Sequence, residues 1–141
     1  MNEHTNLLEI KDLTVHYVTV DGTVHAVENL NLTLPEGKTL GLVGETGAGK
    51  TTTVKAIMQI LPDPPAKILT GEVIFCGEDL LKKSENEMVS IRGSKISMIF
   101  QDPMTSLNPT MKIGDQIAES ILIHRQISKE EAYKEALEML Q

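Results

Sequence analysis

Apolar and polar side chains along the chain switch between two periods, and the switches mark the elements. Leu7 to Tyr17 (LLEIKDLTVHY) partly alternates, which predicts a strand. Asp21-Gly22 marks a tight turn flanked by Val18–Val20 and Thr23–Val27, a hairpin signal. Leu30, Leu32 and Leu34 take every second position of Asn29 to Leu34, so one face of that strand is expected to be buried. Pro35-Glu36-Gly37 turns the chain. Thr39 to Val43, short and nearly all apolar, suits a strand covered on both faces.

Beyond Gly49 the period lengthens. Val54, Ile57, Met58 and Leu61 fall at i, i+3, i+4 and i+7, the stripe of a helix that Pro62 stops. Pro62 to Pro65 is a stiff surface loop, and Glu72 to Cys76, between Gly71 and Gly77, a second short strand. Ser84 with Glu87 makes a capping box and Gly93 a C-terminal cap, so Glu85–Arg92 is expected to be helical. Lys95 to Phe100 reads as another strand. The loop Asp102 to Thr110 precedes a helix from about Lys112 to Arg125, with Ile113, Ile117 and Ile121 on one side. Ser128 with Glu131 repeats the capping box before a last helix striped by Ala132, Tyr133, Ala136, Leu137 and Leu140. Gln141 closes the sequence inside that stripe without glycine, proline or a polar tail, which implies a domain continuing past it.

The change of period falls on Gly44-Glu45-Thr46-Gly47-Ala48-Gly49-Lys50-Thr51, which matches G-x-x-x-x-G-K-[ST] at every fixed position. Glycines let a backbone wrap closely round phosphate oxygens, so that successive N–H groups point inward as a nest. The helix that follows offers unpaired N–H groups and the positive end of its dipole to the same anion. Lys50 is expected to reach the β- and γ-phosphates and the Thr51 hydroxyl to be a Mg²⁺ ligand, with Thr52 adding a hydrogen bond to phosphate. Glu45 lies inside the loop, and its carboxylate must turn away from the phosphates. The pattern implies binding of a nucleoside triphosphate with Mg²⁺. By itself it does not choose among GTPases, kinases and motor-like ATPases. No Asn-Lys-x-Asp guanine reader occurs, and some forty residues of β-type sequence precede the loop, unlike most small-molecule kinases.

Composition narrows the partners. The 141 residues carry a formal charge of −7 and 3% aromatics, which argues against binding nucleic acid by phosphate neutralisation or base stacking. No apolar run reaches the ~18 residues of a membrane span. The single cysteine, Cys76, allows no internal disulfide and is expected to be a small buried strand residue. None of His4, His16, His25 and His124 has ligand spacing, and Met88, Met98, Met104 and Met111 read as packing residues.

The leading β region with Tyr17, the loop GETGAGKTT and Ile99-Phe100-Gln101-Asp102-Pro103 together resemble the ATP-binding subunits of ABC transporters. Met98 to Glu119 (MIFQDPMTSLNPTMKIGDQIAE), with DGTVHAVENLNLTLPEG upstream, resembles the oligopeptide/dipeptide (peptide/nickel) importer ATPases, and the likeness runs from about Leu7 to Gln141. It implies an α/β fold, the P-loop NTPase domain of ABC type. An N-terminal antiparallel β region and RecA-like core would span about 7–110, and the start of the helical subdomain about 111–141. Tyr17 would stack on adenine, the alternative being a cap on a sheet edge. Gln101 would contact Mg²⁺ or the attacking water and report nucleotide state to membrane subunits, the alternative being an ordinary loop amide. Asp102 ends an apolar run where a Mg²⁺-organising aspartate can stand, but the Gln-Asp-Pro context speaks against that role.

The departures also carry information. Thr46, Ala48 and Thr51 stand where the family commonly has serine, and Thr51 keeps the hydroxyl. There is no Leu-Ser-Gly-Gly-Gln-like signature, no apolar strand ending in Asp-Glu and no switch histidine after it, so the resemblance is to a truncated, N-terminal part of such a subunit. The expected role is ATP and Mg²⁺ binding without efficient hydrolysis, in the ATPase of a peptide importer. Its partners would be transmembrane permease subunits and a second ATPase subunit, with a substrate-binding protein engaged only indirectly and no nucleic acid. Its place would be cytoplasmic, peripheral on the inner face of the cell membrane. A non-hydrolytic regulatory module and a soluble ABC-type ATPase of repair or translation are the alternatives. The resemblance also implies that the strands flanking Thr39–Val43 are missing, leaving that run with unpaired edges and bare apolar faces.

Overall fold

A computed structural model describes residues 6–102 and 106–141. His4, Pro103 and Met104 lie outside the described residues. The chain divides into two compact units, Met1–Met88 and Val89–Gln141.

The first unit is built on an antiparallel sheet of order β2-β1-β3-β4, formed by β1 (Asn6–Thr19), β2 (Gly22–Pro35), β3 (Ala66–Phe75) and β4 (Glu78–Asp79). Strands β1 and β2 make the expected hairpin, one residue earlier than the Asp21-Gly22 signal. Val20 and Asp21 form the loop, Thr19 pairs with Gly22, and the Thr19 hydroxyl donates to the Gly22 carbonyl at 2.9 Å. The two runs expected as separate strands, Thr23–Val27 and Asn29–Leu34, are one strand, in which Leu30, Leu32 and Leu34 alternate half-buried with exposed neighbours.

β1 alternates only partly because it carries a bulge. Ile10 and Leu13, three residues apart, are both buried, and Asp12 between them adopts a left-handed conformation (φ 47°). Asp12 is locked there from both neighbouring strands. Asn31 of β2 accepts from its N–H at 3.1 Å and donates to its carboxylate at 2.9 Å, while Thr70 of β3 donates to its carbonyl at 3.1 Å. Short polar side chains tolerate this conformation because they hydrogen-bond locally. Across from the bulge, Gly71 has φ 115°, and a Cβ there would stand 2.5 Å from Leu13 Cα and 2.9 Å from the Lys11 carbonyl oxygen.

Strand β3 begins at Ala66, six residues before the expected Glu72, and Cys76 is not on it. Cys76 and Gly77 (φ 49° and 83°) are the two central residues of the β3–β4 turn, the paired positive φ values that match the twist of a tight hairpin. The cysteine is therefore exposed rather than buried. Asp79 organises the next corner. Its carboxylate accepts from the backbone N–H groups of Val73 at 3.2 Å and Leu81 at 3.1 Å, and faces Lys82 Nζ at 3.0 Å. It thereby caps the short 3-10 helix Leu80–Lys82. Burial alone would raise its pKa, but the Lys82 ammonium and the two N–H groups outweigh that and hold it below the usual aspartate value.

Helix α1 (Lys50–Ile57) is shorter than its apolar stripe. Gln59 turns left-handed (φ 50°), with Gln59 N–H bonded to the Ala56 carbonyl and Ile60 N–H to Lys55, both at 3.0 Å. These are the paired bonds of a Schellman end. The Gln59 amide also donates to the Leu80 carbonyl, so the helix stops well before Pro62 and leaves Leu61 outside it.

Thr39–Val43 and Lys95–Phe100 are not strands. Both runs are irregular, apart from an isolated bridge between Arg92 and Ile96, and Val43 and Ile99 are almost fully exposed. A strand exists by its ladder, and among the described residues no neighbouring strand pairs with either run. The bare apolar faces expected of Thr39–Val43 are observed.

Helix α2 (Glu85–Ile91) begins where the Glu87 carboxylate takes hydrogen bonds from the Ser84 N–H and hydroxyl at 2.8 and 2.6 Å. Gly93 follows with φ 84°, the left-handed residue expected beyond its end. In the second unit α3 (Ile113–His124) packs on α4 (Lys129–Met139) through Ala118, Ile121, Ala132 and Ala136, flanked by Ile117, Leu122, Ile127 and Tyr133. The Ser128–Glu131 capping box is complete. Ile113, Leu137 and Leu140 belong to the expected stripes but are exposed. The Tyr133 hydroxyl donates to Asp115 at 2.6 Å, and that carboxylate raises the phenol pKa.

Gly71→Ala is expected to cost about 2 kcal/mol or more, since both the positive φ and the contact with Leu13 oppose a side chain; urea denaturation beside wild type measures it. Asp79→Asn is expected to cost about 1 kcal/mol at neutral pH. Because the folded-state pKa of Asp79 is depressed, its stabilisation is present above the unfolded value near 4 and is lost as pH falls through the folded value. The gap between wild type and Asp79→Asn should therefore shrink on acidification below about pH 4.

Candidate functional site

The glycine loop runs from the irregular Thr39–Val43 segment into α1. Gly47 and Gly49 adopt left-handed conformations (φ 87° and 78°), and Gly49 is the residue from which the helix starts. Its carbonyl accepts the first helical bond, from Thr53 N–H at 2.8 Å, and a second from the Thr53 hydroxyl at 3.0 Å. The N–H groups of Lys50, Thr51 and Thr52 lie ahead of that first bond and keep their donors for something outside the helix. The helix N-terminus adds its dipole.

Gly49 also answers a steric demand from β2. A Cβ on it would run into the Ala26 carbonyl oxygen and stand 3.1 Å from Val27 Cγ2. Gly47 meets nothing within 4 Å, so its requirement is conformational alone. The Lys50 ammonium donates to the carbonyls of Gly44 and Glu45, each at 2.6 Å, and so closes over the loop. Glu45 contributes backbone there, and its side chain is exposed, as are Thr46, Ala48 and Thr51. A cavity of about 210 Å³ lies between β2 and the loop, lined by Ala26, Val27, Leu42, Val43, Lys50 and Thr53.

The structure brings Tyr17 to the same site. It stands half-buried near the end of β1, paired with Val24 and Ala66, and its hydroxyl lies 3.3 Å from the Thr52 hydroxyl on the first turn of α1. Gln101 belongs to the second unit, where its side chain and that of Asp102 are exposed. A larger cavity of about 540 Å³ lies in that unit between α3 and α4, among Met111, Asp115, Leu122 and Tyr133, and holds none of the residues expected to bind nucleotide. The chemistry of the loop, not cavity size, marks the site.

Two contributions escaped the sequence. One is the support of Gly49 by Ala26 and Val27, which no local motif signals. The other corrects the expectation that no histidine has ligand spacing. His16 and His25 are register partners across the β1–β2 hairpin with ring centroids 4.0 Å apart, and both bond to Glu28 Oε1, at 2.5 and 2.7 Å. Those two hydrogen bonds hold the Glu28 carboxyl below the usual glutamate pKa.

A family model described as ABC transporter matches residues 27–141. The chain belongs to the ABC transporter family. It is 52% identical over 137 residues to the oligopeptide transport ATP-binding protein OppD of Bacillus subtilis (strain 168), and 47% identical over 134 residues to the dipeptide transport ATP-binding protein DppD of the same organism. These alignments take in 97% and 95% of the chain but 38% and 40% of the relatives, so the chain spans about two fifths of their length. Among solved structures, the ATP-binding cassette MJ0796 superposes with TM-score 0.76 at 28% identity over 93% of this chain and 54% of that one. The same values hold for its dimer in a post-hydrolysis state bound to ADP and Pi. The ABC ATPase fold expected from the resemblance is thereby established. No helix among the described residues is long and apolar enough to cross a membrane.

Gly49→Ala is expected to destabilise the first unit by about 2 kcal/mol or more and to displace the loop, because the methyl group must push the Ala26 carbonyl away. Amide hydrogen exchange should quicken at Lys50–Thr53 and Ala26–Val27 together. Exchange unchanged at both places would show that the two segments do not support each other.

Proposed function

We propose that this chain binds Mg·ATP on Gly44, Glu45, Thr46, Gly47, Ala48, Gly49, Lys50, Thr51 and Thr52 as part of the ATPase subunit of a peptide importer. The observation that carries the reading is the left-handed Gly47/Gly49 loop opening α1 under the Lys50 ammonium. A loop turned by left-handed glycines, a helix N-terminus and a cation fit a triphosphate. The Thr51 hydroxyl, exposed at the second helical position, is an oxygen ligand of the kind Mg²⁺ takes.

Each residue has a distinct task in this reading. Lys50 leaves the carbonyls of Gly44 and Glu45 for the β- and γ-phosphate oxygens. Thr52 donates to phosphate, and Tyr17, whose hydroxyl lies beside Thr52, offers its ring face to adenine. Thr51 would hold Mg²⁺, whose positive charge would serve the phosphate oxygens, and the assignment of Gln101 to the same ion comes from the family resemblance. Lys50 and Gln101 are the residues of the chain that would act on the reacting phosphoryl group, by positioning and charge. The sequence contains neither an acidic pair ending an apolar strand nor a Leu-Ser-Gly-Gly-Gln-like stretch, so the 141 residues bind ATP without efficient turnover. Transmembrane permease subunits and a second ATPase subunit would complete the transporter at the inner face of the membrane. The 52% and 47% identity to the two relatives named for oligopeptide and dipeptide transport supports peptides as cargo.

Isothermal titration with Mg·ATP tests the binding. Lys50→Ala should weaken it at least about tenfold, which is 1.4 kcal/mol. Tyr17→Ala should weaken ATP severalfold and leave inorganic triphosphate unaffected, whereas Tyr17→Phe keeps the ring and the ATP affinity. No ATP uptake by the folded chain would overturn the reading. Hydrolysis at a rate typical of ATPases, abolished by Lys50→Ala, would overturn the claim of binding without turnover.

A further inference from the structure

We propose that His16, His25 and Glu28 form a binding site for a divalent transition-metal ion on the outer face of the β1–β2 hairpin. The site is separate from the phosphate loop and does not rest on the nucleotide reading.

The hairpin builds the cluster in two steps. Counting back from its turn pairs Thr19 with Gly22, Tyr17 with Val24 and His16 with His25, so the two imidazoles stand side by side on one face. Glu28 follows His25 by three residues, which in a regular strand would place it on the opposite face. Here β2 carries an extra residue, Ala26, between the His16–His25 and Val15–Val27 pairs. The bulge resets the alternation, so that Val27 turns into the core and Glu28 turns out beside the histidines.

The donor atoms, His16 Nε2, His25 Nδ1 and Glu28 Oε1, all lie within 4.8 Å of one another. Ligands of a tetrahedral zinc with bonds near 2.1 Å stand about 3.4 Å apart. The two nitrogen–oxygen separations of 2.5 and 2.7 Å must therefore open by less than 1 Å, within the reach of rotamer adjustment in half-buried and exposed side chains. In the metal-free state both nitrogens donate a proton to Glu28 Oε1. On loading, each neutral imidazole carries its proton on the other ring nitrogen, and the freed lone pairs and the carboxylate oxygen take the ion. Three protein ligands leave one position or more for water.

The chemistry of the set selects the ion class. Two imidazoles and one carboxylate suit Cu²⁺, Ni²⁺ and Zn²⁺, with Cu²⁺ the tightest, whereas Mg²⁺ and Ca²⁺ prefer all-oxygen shells. Lys67 stands opposite His16 on β3 and brings a positive charge to this face. The Glu28 carboxylate offsets it.

The tag-free 141-residue chain, titrated calorimetrically with ZnCl2 and separately with NiCl2 at about pH 7.5, is expected to take up one ion saturably. MgCl2 should give no comparable binding. His16→Gln, His25→Gln and Glu28→Gln should each weaken zinc uptake at least about tenfold, and His124→Gln should not change it. A measurement without variants guards against misfolding: zinc should shift the imidazole NMR signals of His16 and His25 and leave those of His124 in place. Absence of saturable uptake, or uptake that survives His16→Gln combined with His25→Gln while those two rings stay unperturbed, would overturn the proposal.

Discussion

The backbone of Gly49 passes so close to the Ala26 carbonyl that no side chain can stand between them, and the geometry of the loop follows from that approach. The left-handed turn at Gly49 starts α1 and sets where its first-turn donors point. The carbonyl that Gly49 meets belongs to the residue that bulges out of β2. One extra residue in a strand therefore has three effects. It offers a carbonyl to the phosphate-loop glycine, returns Val27 to the core, and turns Glu28 outward to two histidines. A bulge re-aims side chains by changing their phase, and here Val27 and Glu28 take their directions from that change.

The sequence signals that held are those whose physics is complete within a few residues. The glycine–lysine–threonine spacing, the Ser128–Glu131 capping box, the alternation of Leu30, Leu32 and Leu34 and the left-handed Gly93 need no distant partner, and each stands in the structure as expected. The His16–His25 pair was not legible, because a loop on Asp21-Gly22 would set His25 opposite Val18, and moving the loop by one residue shifts the register by two. Nor was Glu28, since nothing local announces the bulge at Ala26. The end of α1 shows the same limit. The stripe to Leu61 is genuine as a pattern, but a glutamine in the left-handed region, held to the Leu80 carbonyl from 21 residues away, ends the helix first.

Thr39–Val43 and Lys95–Phe100 make the complementary case. Their composition is that of buried strands, yet burial and pairing are properties of the partners, and the described residues supply none. Apolar composition alone does not make a strand, because each N–H and C=O turned from water needs an acceptor or donor. Lys95 and Ile96 bond back to Ile91 and Gly93, and neither run has a strand partner among the described residues. The exposed Leu137 and Leu140 of α4 and Ile113 of α3 follow the same logic: the α3–α4 contact is narrow, made through alanines, and a helix stripe wider than its contact must leave its margins bare.

A loop suited to a polyanion sits in a chain of net charge −7, and the two are compatible only because the relevant field is local. At physiological ionic strength charges more than about 8 Å apart are largely screened. The balance at the loop is then set by Lys50, by the N–H groups of the first turn of α1 and by where the Glu45 carboxylate lies, and that carboxylate is exposed. The Lys50 ammonium lies against the negative ends of two carbonyl dipoles, those of Gly44 and Glu45. Phosphate oxygens carry full charge where those carbonyls carry only part of one. In the proposed reading, an anion entering the loop therefore competes for the lysine on favourable terms.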